Sequence, residues 1–264
     1  MTKRVLITGA AGGIGSFAAA EMRRRGALVV GLDLKAGENI IACDIRDQEA
    51  VDKGVAEAIG RLGGLDVVIN NAGIGTPQSA GTAPDGGALA VLDVNVVGAW
   101  RITAAALPTL RASRGRVVNV SSGLAFLAVP FSTAYCISKR GLVAYSDCLR
   151  AEYGDEITVT TVYPGYIRTG IHAESTAAGI QLEGAVPVEN VEAAGRALAR
   201  AALGRPVRDL ATTRRGGLSY GLLRRVPQGV IDRAVRAQVR RHARAGAYSD
   251  TGLAGDFVQR MRRR

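Results

Sequence analysis

The sequence predicts an α/β protein: one doubly wound parallel sheet with helices on both faces, followed by a basic helical extension at the C-terminus. Three observations carry this. Short runs rich in Val, Ile and Leu alternate with stretches of helical period from residue 4 to about residue 213. The first run ends in a glycine turn, Gly9-Ala-Ala-Gly12-Gly13-Ile-Gly15, that opens directly into a helical stretch. Later runs end in small polar residues, Asn70-Asn71-Ala72-Gly73 and Ser121-Ser122, at the carboxyl ends of strands where open parallel sheets bind ligands.

Residues 4–8 form the first buried strand, and 16–25 the helix that the glycine turn opens. Glycines allow positive φ and bring main-chain N–H groups close to a pyrophosphate at the helix N-terminus, where the dipole favours an anion. The spacing Thr8-Gly9-x-x-x-Gly13-x-Gly15 departs from the common G-x-G-x-x-G, with Gly13 and Gly15 able to play the same parts. The next strand, 28–33, ends at Asp33, 18 residues after Gly15. A carboxylate there accepts a hydrogen bond from the adenosine ribose 2′-OH and repels a 2′-phosphate, so NAD is expected over NADP, with Lys35 softening the repulsion. Only ten residues separate Asp33 from Asp44, and they include the strand 39–43. That is too few for a helical crossover. A loop or single turn is expected instead, which leaves Asp44 as a candidate contact to the adenine base.

Helix 47–60 leads to strand 65–70 and the Asn70-Asn71-Ala72-Gly73 turn. A long helix over 86–110 carries Asn95, a polar residue within an apolar run that reads either as a core asparagine bonded to backbone or as a water anchor. Strand 115–121 ends at Ser122, and helix 133–153 and strand 156–162 follow. On that helix Tyr135 and Lys139 stand at i, i+4, on one face a turn apart. A free phenol ionises near pH ~10, and a fixed cation nearby favours phenolate. Such a tyrosine moves a proton on and off a substrate oxygen, which a hydroxyl such as Ser122 holds while charge develops on it. Alone, a Tyr-x-x-x-Lys pair is an ordinary half-buried ring beside a solvated charge; its place behind a nucleotide-binding frame makes it a site.

These residues in this order resemble the short-chain dehydrogenase/reductase family over roughly residues 3–213. The likeness rests on the glycine motif with Thr8, Asn70-Asn71-Ala72-Gly73, Asn95, Ser122, Tyr135-x-x-x-Lys139 and Pro164-Gly165. It implies a Rossmann-like fold and reversible hydride transfer between a carbinol carbon and nicotinamide. Tyr135 is then the general acid/base. Lys139 lowers its pKa and binds the nicotinamide ribose, Ser122 holds the substrate oxygen, and Asn95 supports a water chain from the lysine to solvent. Gly9, Gly13, Ile14, Gly15, Asp33, Asp44, Asn71, Ala72 and Gly73 are the implied cofactor contacts at the front of the sheet. Tyr135, Lys139, Pro164, Ile167 and Thr169 surround the nicotinamide. Helices 86–110 and 133–153 are implied as a surface for a homodimer or homotetramer.

Composition narrows the class further. At 264 residues the chain suits one α/β domain with a large core, and its apolar residues are spread evenly. No apolar run approaches ~18 residues and a strand begins at once, so neither a membrane span nor a signal peptide is expected, and the location is expected to be cytoplasmic. Cys43, Cys136 and Cys148 lack metal-ligand spacing and only two histidines are present, which argues against a metal site. The net charge of +11 is uneven: residues 1–195 hold 17 basic and 19 acidic side chains, and 196–264 hold 17 and 4.

Between Ser122 and Tyr135, the run of Leu124, Phe126, Leu127, Val129 and Phe131 suits a hydrophobic substrate. Residues 170–187 read as a substrate lid, with His172 and Glu174 as candidate contacts and Arg168 as the nearby cation. The catalytic domain is expected to span 1–213 and the extension 214–264. Around 229–245, Val230, Ile231, Ala234, Val235 and Val239 recur at helical spacing between arginines. Such a helix either lies on an anionic membrane surface or packs across the domain. Nucleic acid is not an expected partner, because no aromatic interleaving or recognised motif accompanies the charge. The sequence reads as an NAD-preferring oxidoreductase of a hydrophobic secondary alcohol or ketone, steroid-, terpenoid- or lipid-like. The alternative is a non-catalytic dinucleotide-binding regulatory or scaffold protein that uses the basic tail to bind a partner. Lyase or epimerase chemistry on a sugar nucleotide would need a larger, more polar substrate domain.

Overall fold

Strands of Val, Ile and Leu with no polar face must be covered on both sides, and the fold does this with two helical layers. A computed structural model describes residues 2–180, 188–212, 226–249 and 251–262. Strands β1 (Arg4–Thr8), β2 (Leu28–Asp33), β3 (Ile40–Ala42), β4 (Val67–Asn70), β5 (Arg116–Val120), β6 (Thr158–Tyr163) and β7 (Asp209–Ala211) form one sheet in the order β3-β2-β1-β4-β5-β6-β7, every neighbouring pair parallel. Side chains alternate across it. Leu6 enters one core with Leu32, Val68 and Val117, while Val5 and Ile7 enter the other with Ile69 and Val118.

The first core is closed by α2 (Gln48–Leu62), α4 (Ala99–Ala112) and α5 (Thr133–Tyr153), through Val51, Val55, Ile102, Leu110 and Leu149. The second is closed by α1 (Gly13–Arg24) and α7 (Val191–Leu203), through Ala18, Met22 and Leu198. Helix starts follow their caps. The Asp47 carboxylate accepts from the Glu49 and Ala50 N–H groups, and the Asn190 side chain does the same for α7. The helix expected over 16–25 begins three residues earlier, at Gly13, because the glycine turn is itself the first helical turn. The 34–39 connection is a loop, as expected. Asn39 at φ 57° returns the chain tightly enough for β3 to lie parallel to β2.

The single helix expected over 86–110 is three pieces: α3 (Gly86–Leu92), a π-helical turn (Asp93–Gly98) and α4. Taken together, Gly86–Ala112 is long and apolar enough by length and composition to cross a membrane, which the sequence expectation had missed. In the fold its inner side packs on the sheet, with Val91, Ile102, Ala106 and Leu110 fully buried, while Leu89, Val97 and Trp100 are exposed.

Beyond β7, residues 213–225 lie outside the described residues, as does the 181–187 part of the expected lid. The short helix α6 (Ala173–Ala177) leads to Ile180, which forms a β-bridge with Tyr248. Helix α8 (Gln228–Arg244) is the one expected around 229–245, and a further helix, α9 (Gly255–Arg262), was not expected. Ile231, Val239 and Ala243 of α8 are buried, whereas Val230 and Ala234, expected on the same stripe, are exposed. Part of the stripe therefore packs on protein, while Val230 and Ala234 remain on the outer side of the helix. The anchor is Phe131, whose ring lies 5.9 Å from that of Tyr248 and 5.2 Å from that of Phe257. Phe131 holds φ at 61°, a left-handed conformation that a bulky residue keeps only under firm constraint.

Phe131→Ala should lower stability by about 3–5 kcal/mol in urea denaturation. It should also expose the arginines of α8 to trypsin; unchanged cleavage in that helix would mean the aromatic cluster does not hold the tail.

Candidate active site

The chain parts at β1 and β4: these strands are neighbours, but their crossovers leave toward opposite edges of the sheet, which opens a crevice beyond their carboxyl ends. Thr8 and Asn71 tie its two sides together. The Thr8 hydroxyl accepts from the Asn71 and Ala72 N–H groups at 3.1 and 3.0 Å, and the Asn71 amide donates to the Thr8 and Gly9 carbonyls at 3.0 and 3.2 Å. Gly9 and Gly13 have φ of 66° and 52°, and a Cβ at Gly15 would collide with the Gly9 carbonyl. Glycine is thus required by backbone shape at two positions and by crowding at the third.

Helix α1 starts with no side-chain cap and no acidic residue in its first turn. Its leading N–H groups remain available to an anion. They border a groove of about 590 Å³ whose walls include Gly9, Gly13, Ile14, Asp33, Asp44 and Ala72. Asp33 is fixed at its edge: its carboxylate accepts from the Ala11 and Leu34 N–H groups, each at 2.8 Å. Asp44 is held by the Arg46 guanidinium, whose hydrogen bonds lower its carboxyl pKa. Lys35, expected near Asp33, points to solvent, and Arg46 is the cation on the groove wall. The sequence reading missed Arg46, together with the wall residues Ile45, Ile74, Val94 and Ile171. The spacing of Arg46 two residues after Asp44 was the available signal. This chemistry fits a dinucleotide: uncapped N–H groups for phosphate, a fixed carboxylate for ribose hydroxyls and apolar walls for a flat ring.

The groove adjoins a smaller cleft walled by Ser122, Tyr135, Lys139, Pro164, Ile167 and Thr169, and the two share Ile14, Asn71, Gly73, Thr169 and Ile171. The expected residues from four separate strand ends therefore meet in one place. Lys139 is 3% exposed; its ammonium donates to the Val120 carbonyl at 3.0 Å and sits 5.5 Å from the centre of the Tyr135 ring. Burial pushes the Lys139 amine down to about 8. Burial also pushes the Tyr135 phenol up to about 12, with a weaker opposing pull from the Ser122 hydroxyl. The Lys139 ammonium is aimed at a carbonyl, and desolvation is the larger influence on the phenol.

Asn95 sits in the π-helical turn. Its side-chain oxygen accepts from the Ile74 N–H at 2.9 Å, and its amide donates to the Ile74 carbonyl and the Ser138 hydroxyl, each at 3.0 Å. The side chain clamps the loop after β4 against α5. Gly73 lies in the gap that results: a Cβ there would stand 3.2 Å from the Asn95 oxygen and 3.3 Å from the Lys139 ammonium.

The apolar segment after Ser122 divides. Leu124, Leu127 and Val129 pack with Tyr166 around the Tyr135 ring, while Phe131 turns to the tail. Cys136 is a packed thiol that burial keeps protonated. Arg168 and Glu174 are exposed, and the His172 side chain lies outside the described residues.

A doubly wound sheet with an anion-ready turn at its switch point and a buried proton-carrying group beside it defines the class of dinucleotide-dependent oxidoreductases. Within that class the chain belongs to the short-chain dehydrogenase family, whose model matches residues 3–179. It is 32% identical over 197 residues to dehydrogenase/reductase SDR family member 7B of Rattus norvegicus, covering 66% of this chain and 61% of that protein. It is 36% identical over 188 residues to retinol dehydrogenase 16 of Mus musculus, covering 64% and 58%. It is 34% identical over 186 residues to 11-beta-hydroxysteroid dehydrogenase-like 2 of Arabidopsis thaliana, covering 63% and 60%. The matches thus span about three fifths of each of these relatives.

Lys139 carries a stability cost with a defined pH window. Its folded pKa, about 8, lies below the ordinary 10.5, so the unfolded chain binds more protons between those values and stability rises with pH across them. Lys139→Met should therefore stabilise the protein at pH 7 by on the order of 2 kcal/mol, and the gain should shrink toward pH 10. Urea denaturation at both pH values checks this; a variant less stable at pH 7 would mean that the ammonium is well solvated.

Proposed function

We propose that the protein is an NAD-preferring oxidoreductase that interconverts a hydrophobic secondary alcohol and its ketone, on a steroid-, terpenoid- or lipid-like substrate. The observation that carries the reading is the convergence of Ser122, Tyr135 and Lys139 on the end of the groove that starts at the uncapped α1 N-terminus. In this reading Gly9, Gly13, Ile14 and Gly15 form the pyrophosphate turn and Asp33 accepts from the adenosine ribose. Asp44, Asn71, Ala72 and Gly73 line the path toward the nicotinamide end, where Pro164, Ile167 and Thr169 form the wall. The bound nicotinamide supplies the redox chemistry.

The chain's own residues position the substrate and move the proton. Ser122 donates to the substrate oxygen. Tyr135, a phenol at neutral pH, delivers a proton to that oxygen as it gains charge in ketone reduction, and takes it back in alcohol oxidation. Lys139 orients the ribose and biases the phenol, and Asn95 keeps the lysine's surroundings open through its clamp on the β4 exit loop. Leu124, Leu127 and Val129 around Tyr135 support an apolar substrate. So do the relatives whose names specify retinol and hydroxysteroid chemistry. Exposed Trp100, stacked beside Tyr145 on the outer faces of α4 and α5, supports a homodimer or homotetramer.

The reading is tested by cofactor-linked absorbance across a panel of steroid, terpenoid and long-chain alcohols and ketones. Tyr135→Phe should remove turnover by a factor of at least about 10³ with NAD affinity nearly unchanged; retained turnover would sink the proton role. Asp33→Ala should cut kcat/KM with NAD by about tenfold or more and narrow its margin over NADP, and an unchanged ratio would reject Asp33 as the discriminator.

A further inference from the structure

The proposed reaction leaves unused a cavity of about 810 Å³ between the segment linking Ser122 to Tyr135 and the C-terminal helices. Its inner wall is apolar, with Phe126, Val129 and Phe131, and its outer wall is Val239, Phe257 and Met261. Four arginines complete it: Arg140 of α5, Arg236 and Arg240 of α8, and Arg260 of α9. No aspartate or glutamate is among its described lining residues.

Several guanidiniums of this protein find carboxylates, as in Arg4 with Asp66, Arg101 with Asp93, Arg111 with Glu156 and Arg150 with Asp147. None of the four at the cavity bonds or pairs with a described residue. Arg236 and Arg240 are also i, i+4 neighbours on α8, a like-charge arrangement that weakens a helix unless an anion lies between them. An apolar chamber of this size suits a single small ligand. A cationic wall of planar forks suits a carboxylate, which arginine binds through paired hydrogen bonds.

We propose that this cavity binds a long-chain fatty acid, with its hydrocarbon chain between the 124–131 segment and the C-terminal helices and its carboxylate held by Arg140, Arg236, Arg240 and Arg260. The ligand links parts that the fold otherwise joins through Phe131 and its aromatic neighbours. The cavity shares Leu124 and Val129 with the surroundings of the Tyr135 ring, but Ser122, Tyr135 and Lys139 do not line it, so NAD affinity and fatty-acid binding can be read separately.

The test is calorimetric titration of the full chain with octanoate, decanoate and dodecanoate below their micellar concentrations. One site is expected, with affinity rising about fourfold for each added methylene. The double variant Arg236→Gln/Arg240→Gln, at exposed positions outside the cofactor groove, should bind dodecanoate at least about tenfold more weakly while NAD affinity stays unchanged. Val239→Trp, which fills the chamber, should remove binding. Dodecyltrimethylammonium, the same chain with a cationic head, should bind at least about tenfold more weakly than dodecanoate. Equal binding of the cationic amphiphile, or an unaffected double variant, would overturn the proposal. A tenfold preference for dodecyl phosphate would overturn the carboxylate in favour of a phosphate-headed lipid. Binding to phosphatidylglycerol vesicles without uptake of free dodecanoate would overturn it in favour of a membrane surface.

Discussion

The tie between Thr8 and Asn71 is the contact on which the site depends. Two parallel strands whose crossovers diverge would leave an open seam with unpaired backbone groups at its head. One threonine hydroxyl and one asparagine amide close that seam with four hydrogen bonds. They also fix the Gly9 turn relative to Ala72 and Gly73. The floor of the groove and the start of α1 are thereby set by a single cross-sheet clasp, and Gly15 is needed because the clasp draws α1 so close to the turn.

Behind the clasp, a polar ladder stiffens the sheet where the catalytic candidates leave it. The Asn70 amide donates to Thr103 and to Asn119, and Asn119 donates to Ser146, which links α4, β4, β5 and α5. The Asn70 side-chain oxygen in this ladder is itself buried with no hydrogen-bond partner among the described residues. Lys139 is also sparsely partnered, a buried ammonium with one carbonyl and no carboxylate among the described residues. Its depressed pKa and the raised pKa of Tyr135 share one cause, desolvation, so the same burial that shields the cleft also holds the phenol protonated. The site carries electrostatic strain that an apolar core would lack.

Helices α8 and α9 pack on the rest of the fold through a cluster centred on Phe131, Tyr248 and Phe257. Phe131, at positive φ, exchanges backbone comfort for a position between Tyr248 and Phe257, and the Ile180 bridge to Tyr248 brings the start of the expected lid into the same cluster. The charge asymmetry therefore has a structural meaning: the apolar side of α8 is spent on the domain and its arginines are left outward, some of them around a cavity that no single segment forms.

The order of the strands, the glycine turn, the acidic end of β2 and the Tyr135 and Lys139 pair were legible in the sequence, because each rests on local periodicity, backbone sterics or an i, i+4 spacing. Helix α5 and strands β1 and β2 fall on the residues expected. Less legible was anything that depends on what a side chain meets across space. The π-helical turn at Asn95 follows from a clamp onto Ile74 and Ser138, 21 and 43 residues away. The place of Arg46 on the groove wall follows from its pairing with Asp44. The inward turn of α8 and the gathering of Arg140, Arg236, Arg240 and Arg260 follow from where the Phe131 cluster seats the tail. The direction of the tyrosine pKa belongs here too. Spacing puts Lys139 one turn from a phenol, but only the tertiary structure buries both, and that burial raises the Tyr135 pKa and lowers that of Lys139.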